Sequence, residues 1–445
     1  MKSYSSYKDS GVEWIGNIPS DWGNTKLKYV SQLFTGNSLN DEQKKLYESE
    51  NLNDIPYVSS KDIDVDFRTV NYDNGLRIPR DNNPLKISPT GSFLLCVEGG
   101  SSGRKMVFLD RDVCFVNKLC SFYSSQNTKF QYYFVQSSNF QDKFKLSLTG
   151  LIGGVSISTL KNFELPLPPI PEQTQIVSFL DTKTQKIDEL IEKTEQKIEL
   201  LKEKRTSLIN HCVTKGLNPN VEMKDSGVEW IGEIPSHWIK TKMKYVVHIF
   251  GRIGYRGYTT EDIVNKGEGV ITISPSNIRE DKFSTENSTY LSWEKYHESP
   301  EIQIFTNDII LVKTGSTIGK TSIIPNNVPE MTINPQLVVL KNIKLFSKYL
   351  YYQTTCRFIK ESFYIEQTGS STPTISQEKM NEFPILNPPN EEQTKIVEYL
   401  DKQTQNIDST IEKETQRTEL LKEYRQSLIS EVVTGKVDVS GLILN

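Results

Sequence analysis

The chain has 445 residues, 36% hydrophobic and 24% charged, with a formal net charge of −4. That length exceeds what one core serves, so about two or three domains are expected. The near-balanced charge excludes a strong overall field for polyanions, though not a local basic face. Five cysteines (Cys96, Cys114, Cys120, Cys212 and Cys356) are odd in number and never spaced C-x-x-C. This argues against a disulfide framework or zinc knuckles and fits a reducing cytoplasm. No apolar run approaches the ~20 residues of a membrane helix, and "MKSYSSYKDS" has no apolar core of a signal peptide.

The first element is "KDSGVEWIGNIP" at residues 8–19, which returns as "KDSGVEWIGEIP" at 224–235, an offset of 216 with eleven of twelve residues identical. Trp14 and Trp22 recur as Trp230 and Trp238. Such a segment reads as a docking element presented twice. The competing reading is two related cores with the tryptophans packed inside.

Next come two divergent middles, about residues 25–160 and 241–380. "GSFLLCVEGGSSGRKMVFLD" aligns with "NDIILVKTGSTIGKTSIIPN" at the same offset. Each is a β run, a glycine-rich loop and a second β run. "CFVNKLCSFY" and "TINPQLVVLK" predict one further strand each. "TKFQYYFVQSSNFQDKF" and "FSKYLYYQTTCRFIKESF" predict amphipathic helices. Strands first and helices after make each middle α+β.

Each half closes on a long helix. "PPIPEQTQIVSFLDTKTQKID" from Pro168 returns as "PPNEEQTKIVEYLDKQTQNID" from Pro388. Pro171 suits a first helical position, and Asn390 with Gln393 suits a capping box. The stripe Ile176, Leu180, Ile187, Ile191, Ile198, Leu201, Leu208 and Cys212 follows 4-3 spacing. Ile396, Leu400, Ile407, Ile411, Leu421, Leu428 and Val432 repeat it. Two apolar positions per heptad make the narrow seam of a coiled coil. Connectivity requires the pair to run antiparallel, so each opening segment should meet the C-terminal end of one long helix. The expected architecture is therefore α+β, two pseudo-symmetric domains separated by an antiparallel two-helix coiled coil. Its boundaries are 1–167, 168–215 (helix one), 216–387, 388–436 (helix two) and a tail at 437–445.

Catalytic chemistry is missing from the pattern. "KTGSTIGKT" (313–321) places Gly315 one residue too close for a phosphate loop, and the first copy has Arg104-Lys105 where Lys320-Thr321 stand. "LNPPN" (386–390) lacks the aromatic that stacks on a flipped base. Glu195 and Lys197 echo a nuclease E-x-K but sit in a charge-alternating helix. His211, His237, His248 and His297 have no ligand spacing. No metal site and no catalytic residue is expected.

The doubled "LPLPPIPEQTQIVSFLD" layout, with "GVEWIGEIP..W" and "FGRIGYRGYT" (250–259), resembles the specificity subunit of a type I restriction–modification system. The resemblance covers essentially the whole chain. It implies two target-recognition domains, each reading half of a bipartite site on double-stranded DNA, with the helices as spacer. It implies two methyltransferase subunits holding S-adenosylmethionine, and motor-nuclease subunits using ATP and Mg, with no cofactor on this chain. DNA contacts are expected from the glycine turns (Ser101, Arg104, Lys105; Ser316, Thr317, Lys320) and from the basic-aromatic loop Arg252, Tyr255, Arg256. Others are expected from the strand-end residues Ser59, Ser60, Lys61, Ser274, Ser276 and Asn277, and from loops after Thr149-Gly150 and Thr368-Gly369, because phosphate contacts position and base edges specify. The alternative is a symmetric protein-interaction scaffold without DNA specificity, which the mild acidity favours slightly.

Overall fold

The computed structural model describes all residues except Met1, Glu50, Phe67, Asn82, Ser125, Leu151, Ile152, Ile253, Tyr255, Arg256, Glu280, Asp281, Ser370, Ser371 and 442–445. The chain divides into two compact units, Met1–Gln196 with Glu414–Asn445, and Lys197–Lys413.

Unit 1 is built on an antiparallel sheet of β1 (Gln32–Thr35), β2 (Phe93–Cys96), β3 (Met106–Phe108) and β4 (Leu119–Tyr123), in the order β1-β4-β2-β3. Alternate side chains face opposite ways along a strand. Phe93 and Leu95 therefore join the core beneath the helices. Leu94 and Cys96 join a second cluster on the far face. Burial on both faces is why "FLLC" reads as a continuous apolar run. Helices α1 (Thr128–Phe134) and α2 (Ser138–Leu146) follow. Asn127 caps the first through Lys129 N and Phe130 N, and Ser137 caps the second through Phe140 N. Helix α3 (Ile170–Lys215) gives its first part to this unit.

Unit 2 repeats the plan with β5 (His248–Gly251), β6 (Ile309–Val312), β7 (Thr321–Ile323) and β8 (Leu337–Lys341), in the order β5-β8-β6-β7. Ile309 and Leu311 face its main core, and Ile310 and Val312 face the far cluster. Helices α4 (Ser347–Thr355), α5 (Arg357–Glu366) and α6 (Asn390–Val433) follow. The second sheets diverge. In unit 1 it has four strands, in unit 2 five, each with one parallel central pair.

Three sequence expectations change. "CFVNKLCSFY" and "TINPQLVVLK" hold two strands each, not one: Val113–Phe115 and Met331–Ile333 lie in the second sheets, while β4 and β8 lie in the first. The polar breaks at Asn117-Lys118 and Asn334-Pro335-Gln336 let the chain cross between sheets; Leu119 N and Leu337 N close those turns on Val116 O and Asn334 O. The capping box at Asn390 also takes another form. Gln393 is buried; its amide donates to Pro388 O and its oxygen accepts from Phe346 N. Gln173 likewise donates to Pro168 O. Because helix α3 opens at Ile170, Pro171 is its second residue.

The remaining motif residues clamp the helices to their units. Asp181 accepts from Tyr133 Oη at 2.6 Å and pairs with Lys129 at 2.8 Å. Asp401 repeats this with Tyr352 and Lys348, both at 2.7 Å. Within unit 1, Ile176, Leu180, Ile187 and Ile191 share a cluster with Leu428 and Val432, and Leu421 packs on its edge. The two segments run antiparallel, since Asp188 meets Arg425 and Glu195 meets Lys422. Within unit 2, Cys212 lies in the core with Ile396 and Leu400, and Leu208 packs on it. Ile198 and Ile407 are buried there, and Leu201 and Ile411 half-buried.

Each opening segment meets a helix end inside its own unit. A β-carbon on Gly435, just past α6, would lie 2.3 Å from Pro19 and 3.1 Å from Trp22; one on Gly216, just past α3, would lie 3.3 Å from Trp238. Trp22 and Trp238 are fully buried, so they are core residues as much as docking residues. Trp14 is half-buried against Phe134 and Phe163, and Trp230 is exposed.

Candidate nucleic-acid interface

A glycine turn joins β2 to β3 at residues 99–104, and another joins β6 to β7 at 315–320. Three of their backbone bonds correspond at the offset of 216, while Cys96 N then donates to Lys105 O and Val312 N to Lys320 O, one position earlier. Ser102 N donates to Gly99 O, Gly103 N to Cys96 O and Arg104 N to Ser101 O. In unit 2, Ile318 N donates to Gly315 O, Gly319 N to Val312 O and Lys320 N to Thr317 O. Gly99, Gly103, Gly315 and Gly319 have φ of +91°, +77°, +106° and +82°, a region glycine enters without a Cβ clash. A β-carbon on Gly103 would also come within 2.9 Å of the Phe144 ring, so the turn rests directly on α2. Both turns link antiparallel strands. A phosphate loop feeds a helix, whose N-terminus holds the anion, so the strand-to-strand geometry rules that reading out.

A second loop braces each turn. Gly99 N donates to Gly153 O at 2.9 Å, and Gly315 N to Pro373 O at 2.8 Å. Thr149 and Gly154 exchange backbone bonds, as do Thr368 and Thr374. The loops after Thr149-Gly150 and Thr368-Gly369 are thereby set beside the glycine turns. In unit 1 the Lys105 ammonium donates to Ser60 O at 2.6 Å, which brings the strand-end residues Ser59, Ser60 and Lys61 to the same edge. Ser59 is itself held by Asp62 at 2.7 Å. Arg104 and Lys61 are exposed, and Ser101 is half-buried. In unit 2, Ser316 is exposed, with Thr317 and Lys320 half-buried.

The other candidates are placed differently. Arg252 is only 5% exposed. Its Nε donates to Ile333 O and its Nη2 to Thr332 Oγ1, both at 3.1 Å, and its guanidinium lies 5.4 Å from the Tyr258 ring. Burial lowers its pKa. It props the loop from inside and is withdrawn as a solvent-facing contact. Tyr255 and Arg256 lie outside the described residues. Asn277 is buried too: its oxygen accepts from Ser274 N, and its amide donates to Glu286 O and Ser288 Oγ. It organises a turn that leaves Ser276 exposed.

Sequence reading missed the polar residues between the helices. Arg425 Nε and Nη2 meet Asp188 Oδ1 and Oδ2 at 2.8 and 3.2 Å. At the matching positions Arg205 Nε lies 2.9 Å from Asp408, off the hydrogen-bonding direction. Each recognition domain adds a cation: Arg68 bonds Gln136, which also accepts from Arg425, and Lys282 lies 3.6 Å from Asp408. Burial, then Arg425, lowers the Arg68 pKa. The signal was present, because Asp188/Asp408 and Arg205/Arg425 both repeat at an offset of 220. Counting only apolar positions hid it.

Among the described residues there is no cluster of His, Cys, Asp or Glu that could hold a metal, and no helix long and apolar enough to cross a membrane. Two α+β units that present similar turns from matching first sheets, beside divergent second sheets, define a two-headed recognition protein. The sequence profile described as "Type I restriction modification DNA specificity domain" matches residues 19–200 and 235–422. The chain belongs to that family. It is similar to the MjaVIII specificity subunit of Methanocaldococcus jannaschii, 24% identical over 96% of this chain and 95% of that one. It is also similar to the EcoKI specificity subunit of Escherichia coli, 27% identical over 46% and 44%. Among solved structures, one from a study of type I restriction–modification complex assembly and conformational transition matches 94% of this chain and 99% of its own, with TM-score 0.71 and 14% identity. The HsdS subunit of Thermoanaerobacter tengcongensis matches 94% and 98%, with TM-score 0.50 and 15% identity. Both carry the same fold.

Proposed function

We propose that this chain is the non-catalytic DNA-reading subunit of a type I restriction–modification complex. Each unit reads one half of a bipartite site, and the long helices α3 and α6 act as spacer and as docking platform for two methyltransferase subunits. The observation that carries this reading is the family match, which covers both halves of the chain and falls on two units with one shared turn and divergent surroundings. Members of the family are specificity subunits; the catalytic activities lie on partner subunits. S-adenosylmethionine would sit on the methyltransferase subunits, ATP and Mg on the motor-nuclease subunits, and the assembly would work in the cytoplasm.

Within each unit the contacts would come from the exposed edge: Ser59, Ser60, Lys61, Ser101, Arg104 and Lys105 in the first, and Ser274, Ser276, Ser316, Thr317 and Lys320 in the second. Hydroxyls and cations on glycine turns suit phosphate oxygens, and the neighbouring loops are free to vary for base readout. In domain terms, 1–167 and 216–387 would be the recognition domains, 168–215 and 388–436 the spacer helices, and 437–445 a tail.

The test is binding of duplex DNA by the chain assembled with its methyltransferase subunits, together with strand-resolved methylation sequencing of cells with and without the chain. The expected result is bipartite, sequence-dependent protection that weakens steeply with salt, with methylation lost when the chain is absent. Assembly with protein partners but no DNA footprint would replace this reading with that of a scaffold.

A further inference from the structure

We propose that unit 2 contains a nucleotide-receiving notch between its glycine turn and the end of α5, and that the matching place in unit 1 lacks the aromatic half of it. The proposal rests on the DNA-reading role above and names a contact which that role does not itself require. In unit 2 the turn lies against α5, because a β-carbon on Gly319 would stand 3.4 Å from the Phe363 ring. Beside this contact opens a cavity of about 410 Å³. Its floor is the buried Phe363. One wall carries the hydroxyls of Ser316 and Thr317, and its mouth holds Lys320, Lys360 and Tyr364. Tyr364 is 73% exposed. Neither lysine has a carboxylate partner among the described residues.

Two unneutralised ammonium groups flanking a solvent-facing ring, above hydroxyl donors, match the chemistry of one nucleotide of a DNA strand. The phosphate sits between Lys320 and Lys360, bonded by Ser316 or Thr317, and the sugar-base face packs on Tyr364. Stacking on an aromatic tolerates any base, because every base has a π-face; in a duplex that face is free only for a nucleotide swung out of the stack, at the cost of unstacking and unpairing it. The notch therefore anchors the strand and leaves sequence choice to the loops around it. An acidic peptide fits less well, because a run of carboxylates would leave the ring unused.

Unit 1 has the same packing, with Gly103 against Phe144, but different chemistry. At the position of Tyr364 it has Lys145, and at that of Lys360 it has Gln141. It offers Arg104 and Lys145, the latter 3.9 Å from Asp142, but no ring. The two half-sites should then respond differently to loss of a base.

The experiment uses the full chain assembled with its methyltransferase subunits and duplexes carrying the bipartite site, with single abasic positions stepped across both half-sites. Tyr364→Ala should weaken binding at least ~10-fold, and Tyr364→Phe should stay within about 2-fold of wild type. Lys360→Gln should reduce the slope of log K against log salt by about 0.9. One abasic position, in the half-site read by unit 2, should weaken wild type but add nothing to Tyr364→Ala, while Lys145→Ala shows no such position. Wild-type affinity in Tyr364→Ala, with sequence-specific binding intact in wild type, overturns the notch and leaves the DNA-reading role standing. Loss of sequence-specific binding by wild type overturns that role and the notch with it.

Discussion

Glu172 and Glu392 stand 220 residues apart in the same motif, at the start of α3 and of α6, and their units serve them with different donors. In unit 1 the Tyr4 hydroxyl donates to Glu172 at 2.6 Å. In unit 2 the donors are Trp238 Nε1 at 3.1 Å and His237 at 2.9 Å. Trp22, the partner of Trp238 in the repeat, has a buried indole nitrogen with no hydrogen-bond partner among the described residues. The backbone plan is held in common, then, while the polar contacts that secure it are rebuilt locally. Tyr4 also packs edge-on against Trp22, with ring centroids 5.7 Å apart, and burial first, then the bond to Glu172, raises its hydroxyl pKa well above the ordinary range.

The most disruptive way to probe the comparison is to empty the two indole sites. Trp22→Ala and Trp238→Ala should each cost ~3–5 kcal/mol in denaturant unfolding, the range for large aromatic truncations in a core. Phenylalanine separates the units. In Trp22→Phe no hydrogen bond is lost, so the change should reflect volume alone. In Trp238→Phe one donor to Glu392 disappears, and about 1 kcal/mol more should be lost. Equal costs for the two phenylalanine variants would show that the Glu392 bond contributes nothing.

The paired arginines give the next largest contrast. Arg425 grips Asp188 with two bonds and is mostly buried, with the further neighbour Gln136. Removing it in Arg425→Met leaves a half-buried carboxylate without its charged donor, at a cost of ~2 kcal/mol. Arg205 meets Asp408 off the bonding direction, and Lys282 stands 3.6 Å from the same carboxylate as a second cation. Arg205→Met should therefore cost under ~1 kcal/mol, and the cost should shrink with salt. Chemical denaturation of both variants at low and high salt checks the ordering.

A third contrast is visible in acid. Lys242 and Lys244 both reach Glu382, at 2.5 and 2.6 Å, and lower its pKa from 4.5 to about 2. The matching residue in unit 1 is the neutral Asn162, bonded to Lys28 at 3.0 Å. Since the folded-state value is depressed, the Glu382 contribution is fully present above the unfolded value and is lost as pH falls from about 4.5 through about 2. The stability difference between wild type and Glu382→Gln should vanish across that window. Asn162→Asp should add a dependence of the same sign to unit 1. A carboxyl NMR titration of Glu382 with a midpoint near 4.5 would contradict the pairing.

Most of the architecture was legible because the repeat aligns each uncertain stretch with a second copy. The "FLLC" and "IILV" strands, the turns with glycines at matching positions and the two long helices follow from period and punctuation. The crossing at Asn117 and at Asn334 was not legible. A strand that changes sheets keeps its apolar run, and only the short polar break marks the step. Arg252 was misread because an arginine between glycines in a loop resembles an exposed contact. Its burial depends on Ile333 and Thr332, some eighty residues away. Lys360 and Tyr364 went unnoticed because a helix end carries no motif. Only the turn packed on Phe363 makes them neighbours of Lys320.

The smallest expected effect in folding energy bears most directly on function. Arg104 and Lys320 hold corresponding places in turns that share three backbone bonds. Among the described residues the Arg104 side chain bonds only Gly100 O, at 2.7 Å, and Lys320 has no carboxylate partner. Substituting alanine at either position should leave unfolding unchanged within about 0.5 kcal/mol. In the assembled complex each substitution should reduce the salt slope of DNA binding by about 0.9, the change expected for one of the phosphate contacts proposed above. A sequence-independent loss shared equally by both variants would mark the turns as the common, non-reading part of the two heads. A loss confined to one half-site, or one that depends on its sequence, would instead make that turn a reader, and the matching backbone would no longer imply a matching job.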